Sequence, residues 1–216
     1  MSADVKGQSD RLEEMLQKQI IDRGITDARV IDAMRHVPRE LFFPGQRERD
    51  AYADRATPIE CGQTISQPYV VALMTASLDV TGESTVLEIG TGSGYQAAVL
   101  GRLAKDVCTI ERHKPLLDVA FERIMDLGLR NVRFHWGDGH AGWPGGRQFD
   151  RVMLTAAPER MPTDLLMNSL VDGGVAVLPV GESDTQYLLR VERRGNELIE
   201  SRLCPVRFVP MLPEKA

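Results

Sequence analysis

The sequence predicts an α/β protein: a mostly parallel, Rossmann-like sheet with a C-terminal antiparallel hairpin and an N-terminal helical extension. Three observations carry this. From Thr85 onward, apolar segments of strand length alternate with helical stretches, and strands that are apolar without strict alternation belong to a parallel sheet covered on both faces. The tract from Glu88 to Tyr95 sets three glycines where a strand feeds a helix, the place of the ligand-binding turn in doubly wound sheets. Near the end, Tyr187–Arg194 and Glu197–Leu203 flank Gly195-Asn196, the pattern of a hairpin around a tight turn.

The elements follow in order. Leu12, Met15, Leu16 and Ile20 share one helical face behind a candidate cap at Ser9. Val30, Ala33, Met34 and Val37 repeat the pattern behind Thr26, and Pro38 ends it. A loop rich in charge, Gly and Pro runs from Pro44 to Gln67, and Pro68 suits the first position of a third helix. Strands are expected at Thr85–Ile89, Val107–Glu111, Val132–Trp136, Asp150–Thr155 and Val175–Val180. Helices are expected at Gln96–Ala104, at Lys114–Leu127 and from about Pro162, with a loop around Trp143. A single domain over residues 1–216 is expected, with helices and the long loop in 1–80 and the sheet in 81–216.

Composition excludes several classes. Lys and Arg total 26 against 31 Asp and Glu, a net charge of −5, and duplex DNA normally needs a concentrated basic face. No apolar signal core opens the sequence and no apolar run approaches a membrane span. Cys61, Cys108 and Cys204 are odd in number and far apart, so free thiols and a cytoplasmic setting are expected, with a monomer as the simplest state. The four histidines form no HExxH pair and no CxxC occurs, so no metal site is expected. Ser93 lies in GTGSG, the wrong register for a nucleophile elbow.

The glycine-rich turn carries the chemistry. Gly90, Gly92 and Gly94 let the backbone turn tightly and a ligand approach closely. The dinucleotide fingerprint would need its third glycine at Tyr95, and Glu88, two residues ahead of the turn, would repel a pyrophosphate. S-adenosylmethionine carries an ammonium and a sulfonium instead, which a carboxylate attracts. Glu111 closes the second strand of the set, where an acid accepts hydrogen bonds from ribose hydroxyls. Gly137-Asp138-Gly139 follows the third, so Asp138 and Gly139 join the candidate cofactor residues through the adenine. Thr155 ends the fourth strand, at the edge where cofactor and acceptor meet. These features refine the fold to a Rossmann-like S-adenosylmethionine-dependent methyltransferase fold.

Gly62-Gln63-Thr64-Ile65-Ser66-Gln67-Pro68 resembles the signature of the protein-L-isoaspartate O-methyltransferases. Val37–Glu40, Val86–Gln96, Gly137–Gly139, Thr155–Ala157, Leu178–Gly181 and Val206–Pro210 are similar to further blocks of that family, in the family's order. The resemblance implies methyl transfer from S-adenosylmethionine to the free α-carboxylate of isoaspartyl residues in damaged proteins and peptides, with S-adenosylhomocysteine as product. It implies that Ser66 is the active-site serine and that Gln63, Thr64, Ile65 and Ser66 border the cofactor. Thr64 and Ser66 would also meet the acceptor, with Val209 and Pro210 in a strand alongside its backbone. By position alone, Ser66 also suits a cap for the helix at Pro68, a role compatible with the first, and Val206–Pro210 an edge strand ending at proline. Glu60-Cys61 and Gly146-Arg147-Gln148 depart from the family pattern. The rival readings are a same-fold methyltransferase for a small molecule and a relative that binds without turnover.

Overall fold

The computed structural model describes residues 3–43, 50–182, 184–214 and 216. Residues 44–49 of the long loop lie outside them. In chain order the helices are α1 (Ala3–Met15), α2 (Ala28–Arg35), α3 (Pro68–Leu78), α4 (Tyr95–Leu103), α5 (Lys114–Asp126) and α6 (Thr163–Ser169). The strands are β1 (Thr57–Pro58), β2 (Thr64–Ile65), β3 (Thr85–Ile89), β4 (Asp106–Glu111), β5 (Val132–Trp136), β6 (Phe149–Leu154), β7 (Leu170–Glu182), β8 (Thr185–Arg194) and β9 (Glu197–Val206).

Seven strands form the main sheet in the order β5-β4-β3-β6-β7-β8-β9. β5 through β7 run parallel; β8 and β9 are antiparallel additions at one edge. The chain winds outward from β3 through β4 to β5, then returns to place β6 on the other side of β3. That reversal leaves a crevice beyond the C-terminal ends of β3 and β6, where doubly wound sheets bind ligands.

Strand periodicity sorts the core into two layers. Val86 and Val107 pack with α3 and α4 residues such as Met74, Val99 and Leu100. Leu87, Ile89, Cys108 and Ile110 face the opposite way, towards Leu165 and Leu166 of α6. Covering on both faces explains why β3, β4 and β6 read as nearly continuous apolar runs.

Several local expectations are corrected. Ser9 lies inside α1, so it caps nothing. The cap of α2 is Asp27, one residue beyond Thr26, and its side chain accepts from Arg29 N at 2.9 Å. The long loop carries a small antiparallel pair, β1 with β2. The C-terminal block is not a strand as far as Pro210. The ladder ends at Val206, whose partner Gln186 is next to the start of β8, and the Gln186 side chain holds the departing chain, accepting from Phe208 N at 2.6 Å and donating to Phe208 O at 3.2 Å. Val209 O then accepts from Ala157 N at 2.8 Å, and Ala157 O from Met211 N at 2.8 Å.

Candidate active site

The crevice holds a cavity of about 310 Å³, within the range of small-molecule sites. Its floor is the turn after β3. Gly90 sits at φ +102°, and a Cβ there would lie 2.3 Å from Thr155 Oγ1, so only glycine lets β3 and β6 end this close together. Thr155 donates from that hydroxyl to Gly90 O at 2.5 Å and so pins the turn. Gly139 is equally constrained: a Cβ would meet Ile89 Cγ2 at 2.2 Å.

Eleven of the candidate residues line this cavity: Gln63, Thr64, Ile65, Ser66, Gly90, Gly92, Glu111, Gly139, Thr155, Val209 and Pro210. They come from loops far apart in sequence and meet because β3, β4 and β6 end at one level. The Glu111 carboxylate is buried and takes two backbone donors, Gly92 N and His113 N, each at 2.9 Å. It thereby ties the glycine turn to the start of α5 and still presents oxygen lone pairs to the cavity it lines. Ser66 caps nothing: the cap of α3 is Gln67, without a side-chain bond. The Ser66 hydroxyl is thus free of a helix-capping duty.

Three candidates do not line the cavity: Glu88, Gly94 and Asp138. Gly94 sits one step back, at φ +91°, where the chain turns into α4 and a Cβ would press on Ala120. The Asp138 carboxylate is taken up locally, accepting from His140 N and Glu214 N, each at 2.9 Å, and bonding the His140 ring at 2.8 Å. Partial burial works to raise its pKa, but these bonds hold it below the usual carboxylate value. Glu88 shares its strand face with Val86, so its side chain enters the helix-covered layer behind the cavity wall. There it is fully buried; one oxygen accepts from Thr109 Oγ1 at 2.6 Å and the other has no partner among the described residues.

Burial pushes the Glu88 carboxyl up to about 8, against an ordinary 4.5, with the bond from Thr109 opposing and the nearby Glu111 charge assisting. The attraction of a bare Glu88 carboxylate for an ammonium, expected from sequence, is therefore replaced by a buried acid that is largely protonated at neutral pH. Between those two values the unfolded chain ionises Glu88 while the folded chain keeps its proton. Its stabilising contribution is complete below pH 4.5 and is lost as pH rises through 8. Glu88→Gln removes the titration, so its urea midpoint relative to the parent protein should climb between pH 5 and pH 9. A constant difference across that range would show that Glu88 titrates as an ordinary acid.

The sequence reading missed several lining residues. Tyr95 borders the cavity, as do Arg112, His113, Met211 and Leu212. The last two belong to a C-terminal tail that folds back across the sheet ends, its Pro213 and Glu214 carbonyls accepting from the Arg112 guanidinium at 3.2 and 3.0 Å. No local pattern marks such a return.

A second groove, about 800 Å³, shares Thr64, Ser66 and Val209 with the cavity. Tyr69 and Phe208 give it an apolar wall, and both of its charged lining residues, Arg23 and Arg207, are cations. Arg23 stacks 3.4 Å over the Tyr69 ring and bonds Asp54 at 2.9 Å.

A Rossmann-like sheet with a glycine-floored cavity at its reversal point, finished by an antiparallel edge, defines a methyltransferase-type domain. Residues 10–216 match the family model described as Protein-L-isoaspartate(D-aspartate) O-methyltransferase (PCMT). The curated protein-L-isoaspartate O-methyltransferase of Erwinia tasmaniensis is 50% identical over 204 residues, 94% of this chain and 97% of that one. Its counterpart in Maricaulis maris is 48% identical over 193 residues, covering 89% and 90%. This chain belongs to the protein-L-isoaspartate O-methyltransferase family. A solved protein-L-isoaspartate O-methyltransferase superposes with a TM-score of 0.82 at 26% identity, covering 92% of this chain and 65% of that one. A Plasmodium falciparum structure in complex with S-adenosyl-L-homocysteine gives 0.80 at 24% identity over 95% of this chain and 98% of that one, a likeness of fold.

Proposed function

We propose that this chain repairs proteins by transferring a methyl group from S-adenosylmethionine to the free α-carboxylate of L-isoaspartyl residues, releasing S-adenosylhomocysteine. One observation carries the reading: the glycine-floored cavity and the groove beside it share Thr64, Ser66 and Val209 in their linings. In this reading the cavity takes the cofactor, the groove takes the acceptor, and the two adjoin at those three residues. The cavity's chemistry fits the cofactor, because Gly90 and Gly139 leave a wall without Cβ atoms and Glu111 offers carboxylate oxygens where ribose hydroxyls would donate.

S-adenosylmethionine, when bound, supplies an electrophilic methyl group on a sulfonium. The acceptor α-carboxylate has an unperturbed pKa of about 3.3–3.7 and is already ionised at neutral pH. No residue has to remove a proton. His113 lines the cavity beside Glu111, and the reaction asks no base chemistry of it. The work left to the chain is alignment, which can be worth roughly 7–11 kcal/mol. In this reading Gln63–Ser66 hold the carboxylate in line with the methyl group, and Val209 and Pro210 border the acceptor backbone. Arg207 suits a partner that carries an extra carboxylate, while Arg23 is already engaged by Asp54. Once methylated, the carboxylate becomes an ester that loses methoxide to attack by the neighbouring amide nitrogen. The succinimide so formed hydrolyses in part to normal aspartate.

The reading includes a monomeric, single-domain cytoplasmic enzyme without a nucleic-acid partner. It is supported by the net charge of −5 and by three free cysteines. Among the described residues no helix is long and apolar enough to cross a membrane. The deciding experiment offers labelled cofactor to an isoaspartyl peptide and to its normal aspartyl twin. Label should enter only the isoaspartyl peptide; equal labelling of both, or of neither, would remove the repair reading.

A further inference from the structure

Arg39 has no exposed surface, although it is a charged residue in a short 3-10 turn, Arg39–Phe42, well outside the sheet. Among the described residues no carboxylate pairs with its guanidinium. Its Nε donates to Ala51 O at 2.7 Å and its Nη2 to Ser66 O at 2.5 Å. Its Cζ lies 4.7 Å from the centre of the Tyr95 ring and 5.4 Å from that of Phe43. Burial lowers its pKa to about 10, so the cation persists at neutral pH.

A buried cation without a counter-charge is costly. The contacts here show what an apolar residue could not do. Ser66 lines both the cavity and the groove, and Tyr95 is the first residue of the helix that leaves the glycine turn. One rigid, planar fork therefore touches the loop that presents Ser66 and the element that follows the cofactor turn, and joins them from behind. A hydrogen bond into the Ser66 carbonyl sets the plane of that peptide and with it the direction of the Ser66 side chain.

We infer that Arg39 is a positioning residue for methyl transfer: it touches neither reactant and acts by fixing Ser66 relative to the cofactor turn. This rests on the proposed role of Ser66, and the test separates the two. Arg39→Lys keeps the charge and loses the fork. Its turnover number should fall about ten-fold or more, the scale of one charge-assisted hydrogen bond, while the dissociation constant for S-adenosylhomocysteine stays within about three-fold. In a Ser66→Ala background, Arg39→Lys should cause almost no further loss, because the group it positions is gone. Losses that multiply in the double variant, or an unchanged turnover number in Arg39→Lys, would overturn the inference. If Ser66→Ala itself turns over normally, the role of Ser66 fails first and the inference with it. Should Arg39→Lys not fold, ¹⁵N-arginine spectra of the unaltered protein decide. The slowly exchanging Nε–H of this buried arginine should shift when isoaspartyl peptide joins the S-adenosylhomocysteine complex, and no shift overturns the inference.

Discussion

Glu111→Ala should weaken S-adenosylhomocysteine binding by about 10- to 100-fold in titration calorimetry, the loss expected when a charged hydrogen-bond partner is removed. Two effects add in this variant. The carboxylate offers lone pairs to the cavity it lines, and it also takes the amides of Gly92 and His113. Removing it strips the ligand's partner and frees the turn that shapes the floor. Glu111→Gln should be impaired as well, because an amide can accept from one of those N–H groups but turns its NH₂ towards the other. The fold should survive, since the residue lies at a strand end, and circular dichroism would register any loss. Unchanged affinity in a folded Glu111→Ala protein would reduce the residue to an anchor for the turn.

Ser66→Ala should lower the rate on an isoaspartyl peptide by about 10- to 100-fold, the scale of a hydrogen bond to a charged acceptor. The structure makes this a cleaner experiment than the sequence suggested. A helix-capping serine would cost about 0.5–2 kcal/mol of stability when truncated, and a loss of folded enzyme would confuse the rate. Because α3 has no side-chain cap, the change in stability should stay below the roughly 0.5–2 kcal/mol that loss of a cap costs. The carbonyl that Arg39 holds is kept in the variant, so the loss reports on the hydroxyl alone. A folded Ser66→Ala protein with full activity would remove the serine from the reaction.

Much of the protein was determined by local sequence. β3 and β5 lie where periodicity put them, at Thr85–Ile89 and Val132–Trp136, and the hairpin turns at Gly195-Asn196 as its composition required. Those features depend on the period of apolar residues and on turn chemistry, which neighbouring residues settle among themselves. The glycine turn and Glu111 were legible as cavity-lining positions because strand-turn-helix glycines and a strand-end acid are read from neighbouring residues; the Gln63–Ser66 loop was legible only through its resemblance to a family signature.

Only the tertiary structure decided the rest. Glu88 was legible as an acid near the turn, but both faces of β3 are covered, so its strand could not announce that the side chain enters the layer behind the cavity. Asp138 was legible as a loop carboxylate, yet a tail seventy-six residues further on supplies one of its donors. Arg39 is the sharpest case. A charged residue after Pro38 in a short turn reads locally as a solvated one. It is buried because the Ser66 loop and Tyr95 close around it, elements 27 and 56 positions away. Whether a charge is exposed or enclosed depends on what packs over it, and that is fixed by how the chain returns on itself, which no local pattern records.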